Sequence, residues 1–468
     1  MLKIIFLFFM AGGIPVAIAM AGASLVYILV SDSTLPPFVV IHRMVSGIDS
    51  FPLLAVPFFI LAGNLMNNAG ITTRIYNFAL ALVGWLKGGL GHVNVLGSVI
   101  FAGMSGTAIA DAAGLGTIEI KAMKEHGYST EFAVGVTAAS ATLGPIIPPS
   151  LPFVIYGMMA NVSVGALFLA GILPGALLAI LMMLTVAYFA HRNGWGGDVK
   201  FSSTRFFKAM CELAVVIAWP LLMWLLVAKL GTPPQLTVLA GLASLFVLDR
   251  IFRFEALLPI MTPVLLIGGM STGLFTPTEG AIAACVWAMI LGFGWYKTLS
   301  WKMFVKVCLD TIETTSTVLF IVAAASIFGW MLTATGVTTD IASWVLGFTK
   351  EAWVFLLLAN LLMLFVGCFL EPTAAITILV PILLPICQQL GIDPIHFGLV
   401  MVLNLMIGLL HPPMGLVLFV LARVAKLSVE RTTVAILPWL VPLFLGLIAV
   451  TYVPEITLWL PRMVGAGK

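Results

Sequence analysis

"LGPIIPPS" (143–150) and "IGLLHPPMG" (407–415) are two closely similar interruptions of otherwise apolar stretches. A proline removes a backbone N–H and clashes with the preceding turn, so each double proline breaks a helix and frees main-chain carbonyls. In hydrocarbon a freed carbonyl is costly unless something occupies it. The rest of the chain makes hydrocarbon its solvent. Of 468 residues, 61% are hydrophobic and 9% charged, against about 25% charged in soluble domains, and mean hydropathy is +1.16. A net charge of +3 gives no case for nucleic acid. The five cysteines are scattered in apolar segments without C-x-x-C pairing, which reads as buried free thiols.

Apolar runs long enough to cross a core of about 30 Å recur from end to end. They predict spans at 4–30, 51–68, 72–87, 131–160 (broken), 165–190, 210–230, 234–249, 256–274, 278–296, 312–333, 396–422 (broken) and 432–453. The stretches 89–125 and 354–390 are too long for one crossing and too short for two, and read as re-entrant helical hairpins with buried polar tips. With the N-terminus outside, 16 of the 22 Lys and Arg fall on the inner side and 6 on the outer, the direction the positive-inside rule requires. Both termini are then periplasmic, and the first hairpin enters from inside, the second from outside.

Sliding the chain by 264 residues lays Gly103, Gly127, Gly144, Pro148 and Pro149 on Gly367, Gly391, Gly408, Pro412 and Pro413. Each unit is a hairpin, a short polar turn and a broken helix. With opposite orientations this is an inverted repeat, as in many secondary transporters. The bare carbonyls of each break suit a desolvated Na⁺, and half-helix N-termini facing the same place attract an anion. A simple structural kink is the other reading of a lone Pro-Pro; two in register beside two hairpins favour a site.

"SGTAIADAAGLGTIEIKAMKEHGYSTEFAVGVTAASATLGPIIPPS" (105–150) resembles the large membrane subunit of a TRAP (tripartite ATP-independent periplasmic) transporter, the DctM-like family. "VPFFILAGNLMNNAGI" (56–71), "GLFTPTEGAIAA" (273–284) and 369–419 agree with it. The resemblance implies an all-α polytopic membrane protein of the inverted-repeat elevator type, with two re-entrant hairpins and two broken helices. It implies Na⁺-driven uptake of an organic acid across a bacterial inner membrane. The implied partners are a periplasmic substrate-binding protein (DctP-like) and a small four-helix membrane subunit (DctQ-like), expected as a separate chain. The expected organisation is scaffold at 1–88, first transport half at 89–160, scaffold helix at 161–191, loop and extra helix pair at 192–255, scaffold at 256–352, second transport half at 353–425 and a C-terminal helix at 426–468. The extra pair and His411, where the family usually carries Thr, depart from the pattern.

Carried over by the resemblance, the first Na⁺ site falls on Ser105, Gly106, Gly144, Ile147 and Pro148, mostly through carbonyls. The second falls on Gly367, Glu371, Thr373, Gly408, His411 and Pro412. Thr107, Asp111, Ser150 and Met414 are candidate substrate contacts. Asp111 and Glu371 are intramembrane carboxylates, functional candidates by default, with capping of a half-helix as the other reading. The His411 ring either packs and hydrogen-bonds or adds proton sensitivity. Glu279 reads as scaffold packing or a cap. No H-E-x-x-H, G-x-S-x-G or Walker A pattern supports an enzyme. A stand-alone sodium/anion symporter or ion antiporter of related fold is the alternative.

Overall fold

Both double-proline stretches end a helix in the computed structural model, which describes residues 1–31, 35–230, 234–254, 256–271, 275–412 and 415–465. The chain begins with α1 (Leu2–Ala11), α2 (Val16–Val30), α3 (Phe38–Ile48), α4 (Ala55–Asn68) and α5 (Ile71–Val83). There follow α6 (Gly89–Ser105), α7 (Ala108–Ala113), α8 (Leu115–Glu125), α9 (Thr130–Ala141), α10 (Leu151–Ala160) and α11 (Val164–Arg192). The intervening pair is α12 (Ser203–Leu230) and α13 (Pro234–Phe252), seated on α5 and α14 (Leu257–Ser271). Then come α15 (Pro277–Met289), α16 (Trp301–Ala334), α17 (Val337–Phe348), α18 (Ala352–Gly367) and α19 (Pro372–Gln389). The chain closes with α20 (Pro394–Gly408), α21 (Leu416–Ala425), α22 (Val429–Tyr452) and α23 (Glu455–Val464). Among the described residues six helices are long and apolar enough to cross a membrane: α11, α12, α15 with its following π-turn, α16, α19 and α22. The molecule is an all-α polytopic membrane protein.

The expected single span at 4–30 is corrected. Gly12–Pro15 divides it, Gly13 takes φ +76°, and the chain folds back so that a Cβ on Gly22 would lie 3.2 Å from the Phe9 ring. Two antiparallel helices bury apolar faces as well as one long helix does, and Pro15, without an N–H, favours the turn. Glu279 closes a capping box at the start of α15, its Oε2 accepting from the Thr276 N–H (2.8 Å) and hydroxyl (2.9 Å).

The 264-residue spacing extends well beyond the Gly and Pro marks. Shifted by it, α9 falls on 394–405 against α20, α10 on 415–424 against α21, and α11 on 428–456 against α22. Residues 38–68, divided between α3 and α4, fall on 302–332 inside the unbroken α16. Contacts between the halves are reciprocal: α7 packs on α21, and their register partners, α19 and α10, pack on each other.

Three apolar cores divide the interior. The largest draws mainly on α8–α11 and α18–α22. A second joins α4 and α5 to α12–α16, and a third joins α1–α3 to α16. Between α3 and α16 on one side and α10 and α19 on the other lies an apolar cavity of about 390 Å³.

Candidate functional site

The first break forms where hydrogen-bond donors run out. Thr142, Leu143 and Gly144 close their N–H groups onto Ala139, Ser140 and Ala141 (2.9–3.2 Å), and Ile147 N–H reaches the Leu143 carbonyl at 2.9 Å. Pro145, Pro148 and Pro149 have no N–H to continue the ladder. Among the described residues the carbonyls of Gly144, Ile147 and Pro148 accept no hydrogen bond. Ser150 restarts the helix: its hydroxyl accepts from Phe153 N–H at 3.3 Å and donates to the Pro145 carbonyl. The Ile147 side chain points into α11, filling the space a Cβ on Gly175 would need, so only its carbonyl is left for chemistry.

The tip between α6 and α7 meets this break backbone to backbone. Gly106 takes φ +62°, a conformation that favours glycine, and a Cβ there would stand 2.7 Å from the Pro149 carbonyl oxygen. A Cβ on Gly144 would stand 3.1 Å from the Thr107 carbonyl. Thr107 caps α7 through Ala110 N–H (3.3 Å). Gly106, Thr107, Gly144 and Pro149 are thus brought together, with Pro148 adjacent in the chain. Ser105 ends α6; its side chain lies outside the described residues, as does Met414.

The second half repeats the arrangement with different atoms. Gly367 at the end of α18 touches Gly408 at the end of α20, where a Cβ would lie 2.7 Å from the Gly367 Cα. His411 N–H donates to the Gly408 carbonyl (3.1 Å), and its Nδ1 donates to the Pro412 carbonyl (2.7 Å), 3.4 Å from the Cys368 sulfur. The Gly367 and His411 carbonyls accept no hydrogen bond among the described residues. Glu371 caps α19: Oε2 accepts from Ala374 N–H (3.3 Å), and Oε1 accepts from the Thr373 hydroxyl (2.8 Å). Both of its oxygens are therefore engaged, and Thr373 faces Glu371.

Asp111, one turn along α7 from the tip, is buried, and its Oδ2 has no hydrogen-bond partner among the described residues. Sequence reasoning missed a second buried carboxylate. Glu119 on α8 accepts from the Asn94 amide (2.6 Å) through Oε2 while Oε1 is unpartnered. The same amide donates to Thr137 (2.8 Å), and the Ser140 hydroxyl donates to the Asn94 carbonyl oxygen (2.7 Å). A bare glycine admits this cluster, since a Cβ on Gly97 would lie 2.9 Å from Glu119 Oε1. The second half carries a different network: Asn404 donates to Asn360 (2.7 Å), Asn360 to Thr451 (3.1 Å), and buried His396 meets Thr457 (2.9 Å). His396, in the first turn of α20, lies inside the protein.

Asn94→Leu is expected to cost roughly 1–3 kcal/mol, because it leaves the buried Glu119 carboxyl group without its amide donor. Asn94→Leu/Glu119→Leu should recover part of that loss, since removing both partners is cheaper than removing one. Thermal melts in detergent read both.

Bare carbonyls in an apolar body, glycine contacts that leave no room for a methyl group, and half-helix starts beside them are the equipment of ion and anion binding between helices. The family description "Tripartite ATP-independent periplasmic transporter, DctM component" matches residues 3–456. The chain belongs to the DctM family. It is 41% identical over 457 residues to the sialic acid TRAP transporter large permease protein of Vibrio cholerae, covering 97% of each chain. It is 33% identical over 470 residues to the C4-dicarboxylate TRAP transporter large permease protein of Rhodobacter capsulatus, again covering 97% of each. Against the isethionate TRAP transporter permease protein of Oleidesulfovibrio alaskensis identity is 35%, over 97% of this chain and 65% of that one. The crystal structure of the Alcanivorax borkumensis YdaH transporter superposes with a TM-score of 0.62 over the whole of both chains at 15% identity, a likeness of fold alone. As a DctM-family member the chain is a transport permease of the inner membrane rather than an enzyme.

Proposed function

We propose that this DctM-family chain is the large subunit of a Na⁺-driven importer of an organic-acid anion, working by elevator-type alternating access. The observation that carries the reading is the pair of helix breaks, each with carbonyls that accept no hydrogen bond among the described residues and each closed by glycine against the end of a preceding helix. Unwound carbonyls of this kind coordinate Na⁺ in inverted-repeat transporters, while half-helix N-termini receive the anion. Ser105, Gly106, Gly144, Ile147 and Pro148 form the first Na⁺ site. Gly367, Glu371, Thr373, Gly408, His411 and Pro412 form the second, in which Glu371 and Thr373 also hold the start of α19. Thr107, Asp111, Ser150 and Met414 face the substrate.

The hairpins α6–α8 and α18–α19 are re-entrant from opposite faces in this reading, and both termini are periplasmic; the Lys and Arg distribution supports it. In this reading the moving block is 89–160 with 353–425, and α11, within 161–191, stays with the scaffold. The apolar cavity against α3 and α16 lies along its sliding seam. A DctP-like binding protein delivers the substrate, and a DctQ-like subunit braces the scaffold.

Relatives at 41% and 37% identity carry sialic acid in their names, and others carry isethionate or C4-dicarboxylates. Their common feature is a carboxylate or sulfonate, and sialic acid is the first substrate to test. Reconstituted with both partners, the chain should take up substrate only under an inward Na⁺ gradient and only with loaded binding protein. Uptake without the gradient overturns Na⁺ coupling, and uptake without binding protein selects the stand-alone symporter. Pro148→Leu and Pro412→Leu each restore an N–H at a break; each should lower uptake at least ~10-fold while the chain still inserts.

A further inference from the structure

A concentration of basic side chains surrounds a cavity where α5 ends and α12 begins. A cavity of about 290 Å³ is lined there by Lys200, Arg205 and Lys208, with an apolar wall from α5 and an aromatic rim at Trp85. Its volume is close to the lower bound of small-molecule pockets, about 300 Å³. Among the described residues neither Lys200 nor Arg205 has an acidic partner; the ion pairs are Lys121–Glu125 and Arg462–Glu455. Lys208 donates to the Arg253 carbonyl, and the one carboxylate of the lining, Glu212, is buried and accepts from Ala256 N–H at 3.1 Å.

The wall is fixed in place. Gly88 N–H donates to the Gly196 carbonyl (3.0 Å), and Asp198 accepts from Leu90 N–H (2.8 Å) and the Tyr128 hydroxyl (2.6 Å). Trp85 meets Phe201 and Phe206 edge-on, with centroids 5.2 and 6.4 Å away. Aromatic clusters beside Lys and Arg at helix ends mark the boundary between hydrocarbon and water. The long apolar α11 ends just before this loop and α12 begins just after it, and the ends of such helices are where headgroups are expected.

We propose that this cavity binds the phosphodiester headgroup of an anionic membrane phospholipid, held by Lys200 and Arg205 with its acyl chains lying along α5. Charge attracts an anion, the apolar wall rewards one attached to hydrocarbon, and the position offers lipid headgroups first. The site would tie the pair α12–α13 to the body of the protein through a lipid.

Phosphatidylglycerol added to phosphatidylcholine nanodiscs should raise the thermal stability of the wild-type chain and remain bound in native mass spectrometry. Lys200→Gln/Arg205→Gln should bind it roughly tenfold or more weakly, while Lys121→Gln/Lys124→Gln, an equal loss of charge on exposed side chains elsewhere, should not. Equal stabilisation by inorganic phosphate in pure phosphatidylcholine would assign the site to a free anion and overturn the lipid. Equal retention of both lipids by the wild type would overturn it too, and that measurement stands even if the double variant does not fold.

Discussion

Gly408→Ala is expected to stop transport while the chain still folds. A methyl group at 408 would lie 2.7 Å from the Gly367 Cα, 2.8 Å from its carbonyl carbon and 3.0 Å from its oxygen. All three are main-chain atoms, so no side chain can swing aside. The tip of α18 or the break after α20 must move instead. Overpacking of this kind costs roughly 1–3 kcal/mol, which a large membrane protein with an extensive core survives. The functional cost is larger, because the displaced atoms include the Gly367 carbonyl of the second proposed ion site. A shift near 1 Å in a positioned group costs about 100-fold, and Na⁺-driven uptake in proteoliposomes should fall by at least that. Gly347→Ala is the matched control: a Cβ there meets nothing within 4 Å, and alanine is the better helix former by up to about 1 kcal/mol. Wild-type uptake by Gly408→Ala would make the contact of α18 with α20 a packing detail.

The breaks were legible in the sequence because Gly and Pro act locally: five matches at a fixed spacing locate them without knowledge of neighbours. Apolar length is a weaker guide. Residues 4–30 are apolar whether they form one helix or two packed back to back, and "GGIP" (12–15) looks harmless within such a run. The helices α3, α17 and α23 also escaped, being too short for spans and absent from the run-length count. The polar cluster of Asn94, Glu119, Thr137 and Ser140 comes from three helices, α6, α8 and α9, with no motif linking them. One signal was available. The reasoning that marked Asp111 as an intramembrane carboxylate applies equally to Glu119, eight residues on in the same expected hairpin. Glu371 carried both readings in advance. "EPT" (371–373) is the start of a half-helix, and whether its carboxylate caps or waits for an ion depends on Ala374 N–H and the Thr373 hydroxyl, which only the fold brings within reach.

Asp111→Asn should separate function from stability in the opposite direction to Asn94→Leu. Asp111 is 1% exposed, one of its oxygens is unpartnered among the described residues, and the ion pairs found there are exposed and remote from it. Holding such a group in an apolar body opposes folding. Asparagine keeps the shape and removes the charge, so the melting temperature should stay level or rise by a few degrees, about what 1 kcal/mol does in a large chain. Uptake, in contrast, should fall by ~100-fold or more, because an intramembrane carboxylate held by the Ser98 side chain with its other oxygen left open is placed for a moving ion or substrate. It stands one helical turn behind Thr107, whose carbonyl accepts its N–H at 3.4 Å, so its charge is felt at the tip that closes on the first break. Measuring uptake against Na⁺ concentration resolves the role further. A raised half-saturating Na⁺ level at unchanged maximal rate places Asp111 with the ion, and a lost maximal rate at unchanged Na⁺ affinity places it with the substrate. A variant that melts earlier yet transports normally would mean that the carboxylate is a structural part of the α6–α8 hairpin.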